Sequence, residues 1–149
     1  ITENVIIKGD YDAIMYVSNS QYFGTNDENN LLKLLKAKVN KPIIFVLNQL
    51  DNFIPEVDFI AKMMNDYKSD LLRIGFNNPI IEPISAYAAC LFRFKADELT
   101  NTEKRKFKTL NEIFDNEYYD FPKYIEEGKS KNKLSMTGII SLENKLITI

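Results

Sequence analysis

The chain has 149 residues, 45% of them hydrophobic and 27% charged, with a formal net charge of −2; that suits one domain with a sizeable core, burying roughly 70% of its unfolded surface. The near-neutral balance gives no bulk attraction to nucleic acid or anionic membrane, and no apolar run approaches the roughly 18 residues of a transmembrane helix. A single cysteine, Cys90, and the absence of histidine exclude an internal disulfide, thiolate zinc clusters, Ser-His-Asp triads, Cys-His dyads and histidine metal sites.

The chain starts at Ile1, without methionine or a targeting pattern, and reads as a piece of something longer. Val5, Ile6 and Ile7 belong to the end of a preceding element that Gly9 breaks. Asp10-Tyr11-Asp12 leads into Ala13–Val17, a continuous apolar run that predicts a buried strand. Asp10 and Asp12 read as capping residues rather than a metal pair, because no other ligand lies near them in sequence. Thr25 or Asn26 caps a helix with Asp27 and Glu28 in its first turn, and Leu31, Leu34, Leu35 and Lys38 follow at helical spacing, with Leu32 and Lys36 at the flanks. Pro42 then opens Ile43–Leu47, short and β-branched enough for a strand buried on both faces. The run stops at Asn48, and three residues later comes a carboxylate, Asp51. Strand, helix, strand makes one βαβ unit, and a polar pair at the C-terminal end of a buried parallel strand sits where open α/β sheets bind ligands. The same two residues also suit a plain turn after a strand.

Pro55 fits a first helical turn, and Val57, Ile60, Met64, Tyr67 and Leu71 recur at the spacing of an amphipathic helix, with Met63 and Met64 as core filler. Gly75 ends that helix, Asn77-Asn78-Pro79 turns the chain, and Ile80–Ile84 predicts a third strand, which Pro83 places at an edge. Ser85-Ala86-Tyr87 follows directly, with Ser85 also a good helix N-cap. Residues 95–133 fit the alternating pattern less well. Phe107, Leu110, Ile113, Phe114 and Tyr118 mark a charged helix, and the aromatic patch from Tyr118 to Ile125 suits packing over the sheet or an interaction face. Gly128-Lys129-Ser130 spells the end of a phosphate loop, but Lys123 stands where the first glycine belongs and a polar loop follows, so Gly128 reads as a helix C-terminal cap. Thr137–Glu143 opens an amphipathic terminal helix.

Asn48-Gln49-Leu50-Asp51 resembles the base-recognition motif N-K-x-D of P-loop GTPases, with Gln49 for the usual Lys. Ser85-Ala86, after the next strand, resembles the second base motif of the same family. The helical insertion at 94–133 and the ending T-G-I-x-x-L-E at Thr137–Glu143 are similar to dynamin-like GTPases, bacterial ones especially. The resemblance spans nearly the whole chain and corresponds to the C-terminal half of that family's GTPase domain. It implies a single domain over 1–149 with part of the P-loop NTPase fold: three-layer α/β, a mostly parallel sheet of about three strands, flanking helices, and the insertion before the last helix.

The resemblance also implies chemistry. Guanine presents a ring N–H and an exocyclic amine side by side, and the Asp51 carboxylate can accept from both. Adenine would set a lone pair against that carboxylate and leave it unpaired, which is the discrimination. Asn48 would contact the base and tie neighbouring loops together, a backbone N–H of the Ser85-Ala86 motif would reach the guanine carbonyl oxygen, and a side chain larger than that of Ala86 would crowd the base. Gln49 is shorter than the family Lys and uncharged, which bears on affinity. GTP is the implied ligand, with its phosphates and Mg²⁺ held by the N-terminal half, since no phosphate-loop motif occurs in this chain. The expectation is a guanine-recognition half, inactive alone, of a cytoplasmic parent that hydrolyses GTP to remodel or tether membranes and reaches the membrane only through its other parts. Nucleic acid is not an expected partner. Self-association through Asp12–Val17 is expected, because the neighbouring phosphate-loop strand is missing. Two other readings stand beside this one: a non-catalytic α/β protein-interaction module in which Asn48, Asp51 and Ser85 are turns and caps, or an enzyme of another sort using Asp51 and Glu82 at strand ends.

Overall fold

The computed structural model describes residues 9–21, 23–125 and 128–149, so the apolar residues at 5–7 lie outside it. Three strands, β1 (Ile14–Asn19), β2 (Ile43–Asn48) and β3 (Ile80–Pro83), form a parallel sheet in the order β1-β2-β3. Ile14 stands beside Ile43 and Asn19 beside Asn48; on the other side Ile44 stands beside Ile80 and Leu47 beside Pro83. Helix α1 (Asn26–Lys38) joins the first two strands and α2 (Ile60–Ile74) the next two. Both helices cover the same face, as successive crossovers of one hand moving one way along a sheet must. Phe45, Leu47 and Ile81 meet Leu32 and Leu35 of α1 and Met64, Tyr67 and Leu71 of α2 in the main core. Ile44, Val46 and Ile84 meet Leu142 of the last helix on the opposite face, which completes three layers.

β2 is buried on both faces as its unbroken apolar run requires, with Ile44 and Val46 at 0% exposure. Among the described residues, Pro83 does lie on an edge strand. β1 departs from the buried strand expected at Ala13–Val17. It runs one residue later at its start and two later at its end, and Met15 and Val17 are 49% and 51% exposed. The cause is coverage: Tyr16 and Ser18 face the main core, while the last helix reaches the β2 residues of the other face and leaves Met15 and Val17 open.

The helix phases are corrected in two places. In α1, capped by Thr25, the buried residues are Leu32 and Leu35, with Leu31 turned outward. The same row carries Glu28, whose carboxylate accepts from the Ser18 hydroxyl at 2.5 Å and so turns that row toward the sheet. α2 begins at Ile60 rather than near Pro55, because Val57 N–H and Asp58 N–H both donate to the Ile54 carbonyl and the Asp58 carboxylate accepts from Ile54 N–H. That closed turn leaves Val57 exposed. Met63 and Met64 are buried in the core, and Gly75, at φ 109°, ends the helix.

After β3 come α3 (Ala86–Arg93) and α4 (Asn101–Ile113), the latter opened by a reciprocal Thr100–Glu103 capping box. α4 stops at Ile113, short of Tyr118, and two 3-10 turns follow at Glu117–Tyr119 and Phe121–Ile125. The aromatic patch packs inward: Tyr119 and Phe121 are buried, and the Tyr118 and Tyr119 hydroxyls donate to the carbonyls of Asp58 (2.9 Å) and Phe53 (2.8 Å). Residues 126 and 127, which Gly128 is expected to cap, lie outside the described residues; beyond Gly128, Ser130 closes onto the buried Asp120 through its N–H (3.1 Å) and hydroxyl (2.5 Å). The short α5 (Lys133–Met136) and α6 (Ile139–Thr148) finish the chain. Among the described residues, no helix is long and apolar enough to cross a membrane.

Candidate functional site

Both motifs lie at the C-terminal ends of neighbouring parallel strands. Asn48 is the last residue of β2, Asp51 sits in a 3-10 turn at Leu50–Asn52, and Ser85-Ala86 follows β3 into α3. The turn is possible because Gln49 takes a left-handed backbone at φ 70°, a conformation that costs a β-carbon residue about 1–2 kcal/mol. Its neighbours hold it there. Gln49 N–H donates to Asn48 Oδ1 at 2.8 Å, Asn52 N–H to the Gln49 carbonyl at 3.2 Å, and Asn19 Nδ2 to Gln49 Oε1 at 2.8 Å. Leu50, wholly buried, anchors the turn in the core.

The second loop is tied to the first. Ala86 N–H donates to Asn48 Oδ1 at 3.0 Å, Leu50 N–H to the Ile84 carbonyl at 3.4 Å, and Ile84 N–H to the Leu47 carbonyl at 2.8 Å. Ser85 caps α3: its hydroxyl accepts from Ala88 N–H at 3.2 Å and its carbonyl from Ala89 N–H at 3.0 Å. Ala86 N–H is thus engaged within the protein. Among the described residues, Tyr87 N–H is the first-turn donor of α3 with no acceptor.

An open cavity of about 530 Å³ lies between the two loops, lined by Asn48, Gln49, Asp51, Asn52, Ala86, Tyr87 and Cys90. Four of the five residues singled out in the sequence, with Asp51 among them, line one space; Ser85 stands behind Ala86 as the cap. No described residue hydrogen-bonds or ion-pairs with the Asp51 carboxylate. Behind it, burial and then the charges of Glu56 and Asp51 push the Tyr119 phenol above its ordinary range. A carboxylate with open lone pairs and a helix N-terminal N–H, on two residues that line one cavity, can together take a ligand edge that carries donors beside an acceptor. A second cavity of about 510 Å³ lies beside the same turn, lined by Phe23, Phe53, Phe59 and Met63 with Asp58, Lys62 and Asp66, and none of the motif residues reaches it.

Glu82 and Asp51 are not brought together. Glu82 is buried on the opposite face of the sheet, where its carboxylate accepts from the Ser141 hydroxyl at 2.8 Å and lies 3.5 Å from the Lys145 ammonium of α6. Sequence reasoning missed Asn19, Tyr87 and Cys90. Asn19 was reachable through strand register, since it stands beside Asn48. Cys90 follows one helical turn after Ala86, so that spacing was signal enough. No protein-family model, characterised protein or solved structure matches this chain.

Proposed function

We propose that the chain is the guanine-recognition half of a P-loop GTPase domain of dynamin-like type, in which Asp51 reads the base and Asn48, Gln49, Ser85 and Ala86 build and hold its pocket. The observation that carries this reading is the cavity shared by the ends of β2 and β3, with the Asp51 carboxylate and the Tyr87 N–H both unclaimed by any described residue. The acceptor and donor fit guanine: Asp51 accepts from the ring N–H and the amine, and Tyr87 N–H donates to the carbonyl oxygen that the motif resemblance gives to a backbone N–H of the Ser-Ala motif. Consecutive strands in the order β1-β2-β3, with both crossovers on one face, agree with this half of the fold. On this reading the phosphates and Mg²⁺ of GTP are met by sequence outside this chain, which neither hydrolyses GTP nor binds it tightly by itself. The parent spends GTP to remodel or tether membranes.

Among the described residues no strand pairs with the outer edge of β1, which also supports the reading. Ile14 N–H donates to the Pro42 carbonyl and Ser20 N–H to that of Asn48, so by the two-residue period Met15, Val17 and Asn19 direct their N–H groups away from β2. A phosphate-loop strand would pair with that edge, and its following helix would cover Met15 and Val17. The test is a nuclear magnetic resonance titration of the chain with GMP and AMP. GMP should shift the amides of Asp51, Ala86 and Tyr87 with millimolar affinity, and AMP should not. Equal responses, or none, would sink the reading. A non-catalytic interaction module is the second reading, favoured by the exposed Ile54, Val57 and Phe59 beside the motif turn.

A further inference from the structure

The terminal T-G pair has no role in the pocket as described so far, yet it lies directly behind the second loop. Ser85 N–H donates to the Thr137 carbonyl at 3.0 Å, and Thr137 is wholly buried. The Thr137 hydroxyl donates to the Leu134 carbonyl at 2.6 Å and accepts from Ile139 N–H at 3.5 Å, which fixes the bend between α5 and α6. Gly138 then takes φ 78°, and a β-carbon there would stand 2.1 Å from the Pro83 carbonyl oxygen and 3.2 Å from Ile84 Cγ2. Backbone cannot yield to such an overlap as a flexible side chain can, so the bend and the Pro83–Ser85 segment must occupy their places together.

We propose that Thr137 and Gly138 are positioning residues for the base cavity: the bend they form sets where Ser85 lies, and through Ser85 where the Ala86 and Tyr87 amides stand. The chain of contacts is short. Thr137 holds Ser85, Ser85 caps α3, and Ala86 is bonded to Asn48, whose side chain also fixes the Asn48–Asp51 turn. A side chain at 138 therefore displaces one wall of the pocket by pushing on the Pro83–Ser85 segment. The inference rests on the base-recognition reading for its ligand, but the geometry it asserts does not.

Gly138→Ala tests it against Gly24→Ala. Gly24 has nearly the same φ, 82°, but among the described residues its added β-carbon would meet only Asp70 Oδ2, at 3.9 Å. Without ligand, amide hydrogen exchange at Ser85 and Ala86 should quicken by about tenfold or more in Gly138→Ala and stay at the wild-type rate in Gly24→Ala. With GMP, Gly138→Ala should weaken binding by about tenfold, and Gly24→Ala should match the wild type. Should Gly138→Ala fail to fold, Thr137→Val removes only the hydroxyl that fixes the bend, and a several-fold loss in both measurements is expected. Wild-type exchange at Ser85 and Ala86 in a folded variant would overturn the proposal. If the wild type itself ignores GMP, the base reading fails, while the exchange comparison still decides the role of the bend.

Discussion

Ala86 N–H and Asn48 Oδ1 are joined at 3.0 Å across 38 positions of sequence. The same oxygen accepts from Gln49 N–H, so one side chain holds the motif turn and the following strand's loop. Both loops owe their relative position to a residue that sequence resemblance assigns to ligand contact. Asn48→Ala strips two backbone donors of their acceptor in a partly buried place, and the expected loss of stability is about 1–3 kcal/mol. Urea denaturation measures it, with Asn52→Ala as a neighbouring control that should stay near wild type. Equal midpoints for the two variants would mean that the bridge contributes nothing.

Asp51→Asn places an amide N–H where the carboxylate offered a lone pair. Guanine then meets a donor with a donor, while xanthine, which has a carbonyl in place of the amine, gains an acceptor for it. GMP affinity should fall by about 1–3 kcal/mol, with XMP preferred over GMP. The titration that reports GMP binding serves here too. An unchanged preference in the variant assigns Asp51 to the turn alone.

Cys90 is exposed on α3 and lines the same cavity as Asp51. A bound base should shield its thiol. Alkylation by N-ethylmaleimide should slow several-fold under saturating GMP and not under AMP, and the alkylated chain should lose its GMP response. Labelling at one rate under both nucleotides would place the ligand elsewhere.

The alternation of strands and helices, the register of chemistry to strand ends and the edge position of Pro83 were all legible, because each rests on local periodicity and turn chemistry. The phase of α1 was not. Leu31, Leu34 and Leu35 make as good an apolar stripe as Leu32 and Leu35, and the choice falls to Glu28, whose bond to Ser18 crosses elements. The late start of α2 has the same origin in a closed turn at Ile54–Asp58 that helical spacing does not see. In the site, the residue types were readable and their mutual bonds were not. Asn19 became visible only with the β1–β2 register, and the Thr137–Gly138 contact only with the close approach of Pro83.

High pH should unfold the chain in a defined window. Burial first, and then the Glu28 charge, push the Tyr16 phenol from 10.0 up to about 12, and burial likewise raises Tyr67, whose hydroxyl lies 3.3 Å from that of Ser18. A phenol whose folded pKa is raised keeps its proton longer in the folded state than in the unfolded one. Its stabilisation is therefore whole below pH 10.0 and falls away as the pH climbs toward about 12. Ultraviolet titration of tyrosinate should show part of the tyrosines ionising late, together with loss of the fold. Smooth ionisation of every tyrosine near the ordinary value, with the fold retained, contradicts the burial described.

The open edge of β1 yields the last expectation. Its outward N–H and C=O groups have no partner strand among the described residues, and Met15 and Val17 stand half-exposed beside them. The strand carries no lysine or proline to blunt that edge, so a second copy can extend the sheet along Asp12–Val17. Concentrated chain should form dimers in light scattering, with slowed amide exchange at Met15 and Val17. Met15→Pro is the discriminating variant. Met15 lies between Ile14 and Tyr16, whose side of the backbone pairs with β2, so proline there removes an outward donor and spares the inner ladder. The variant should stay monomeric at concentrations where the wild type associates, with its β1–β2 pairing intact. A wild type that is monomeric throughout, with fast exchange at Met15 and Val17, removes the self-association; one that is monomeric with those two amides protected shows the edge covered by the chain itself, and then the half-domain reading falls with it.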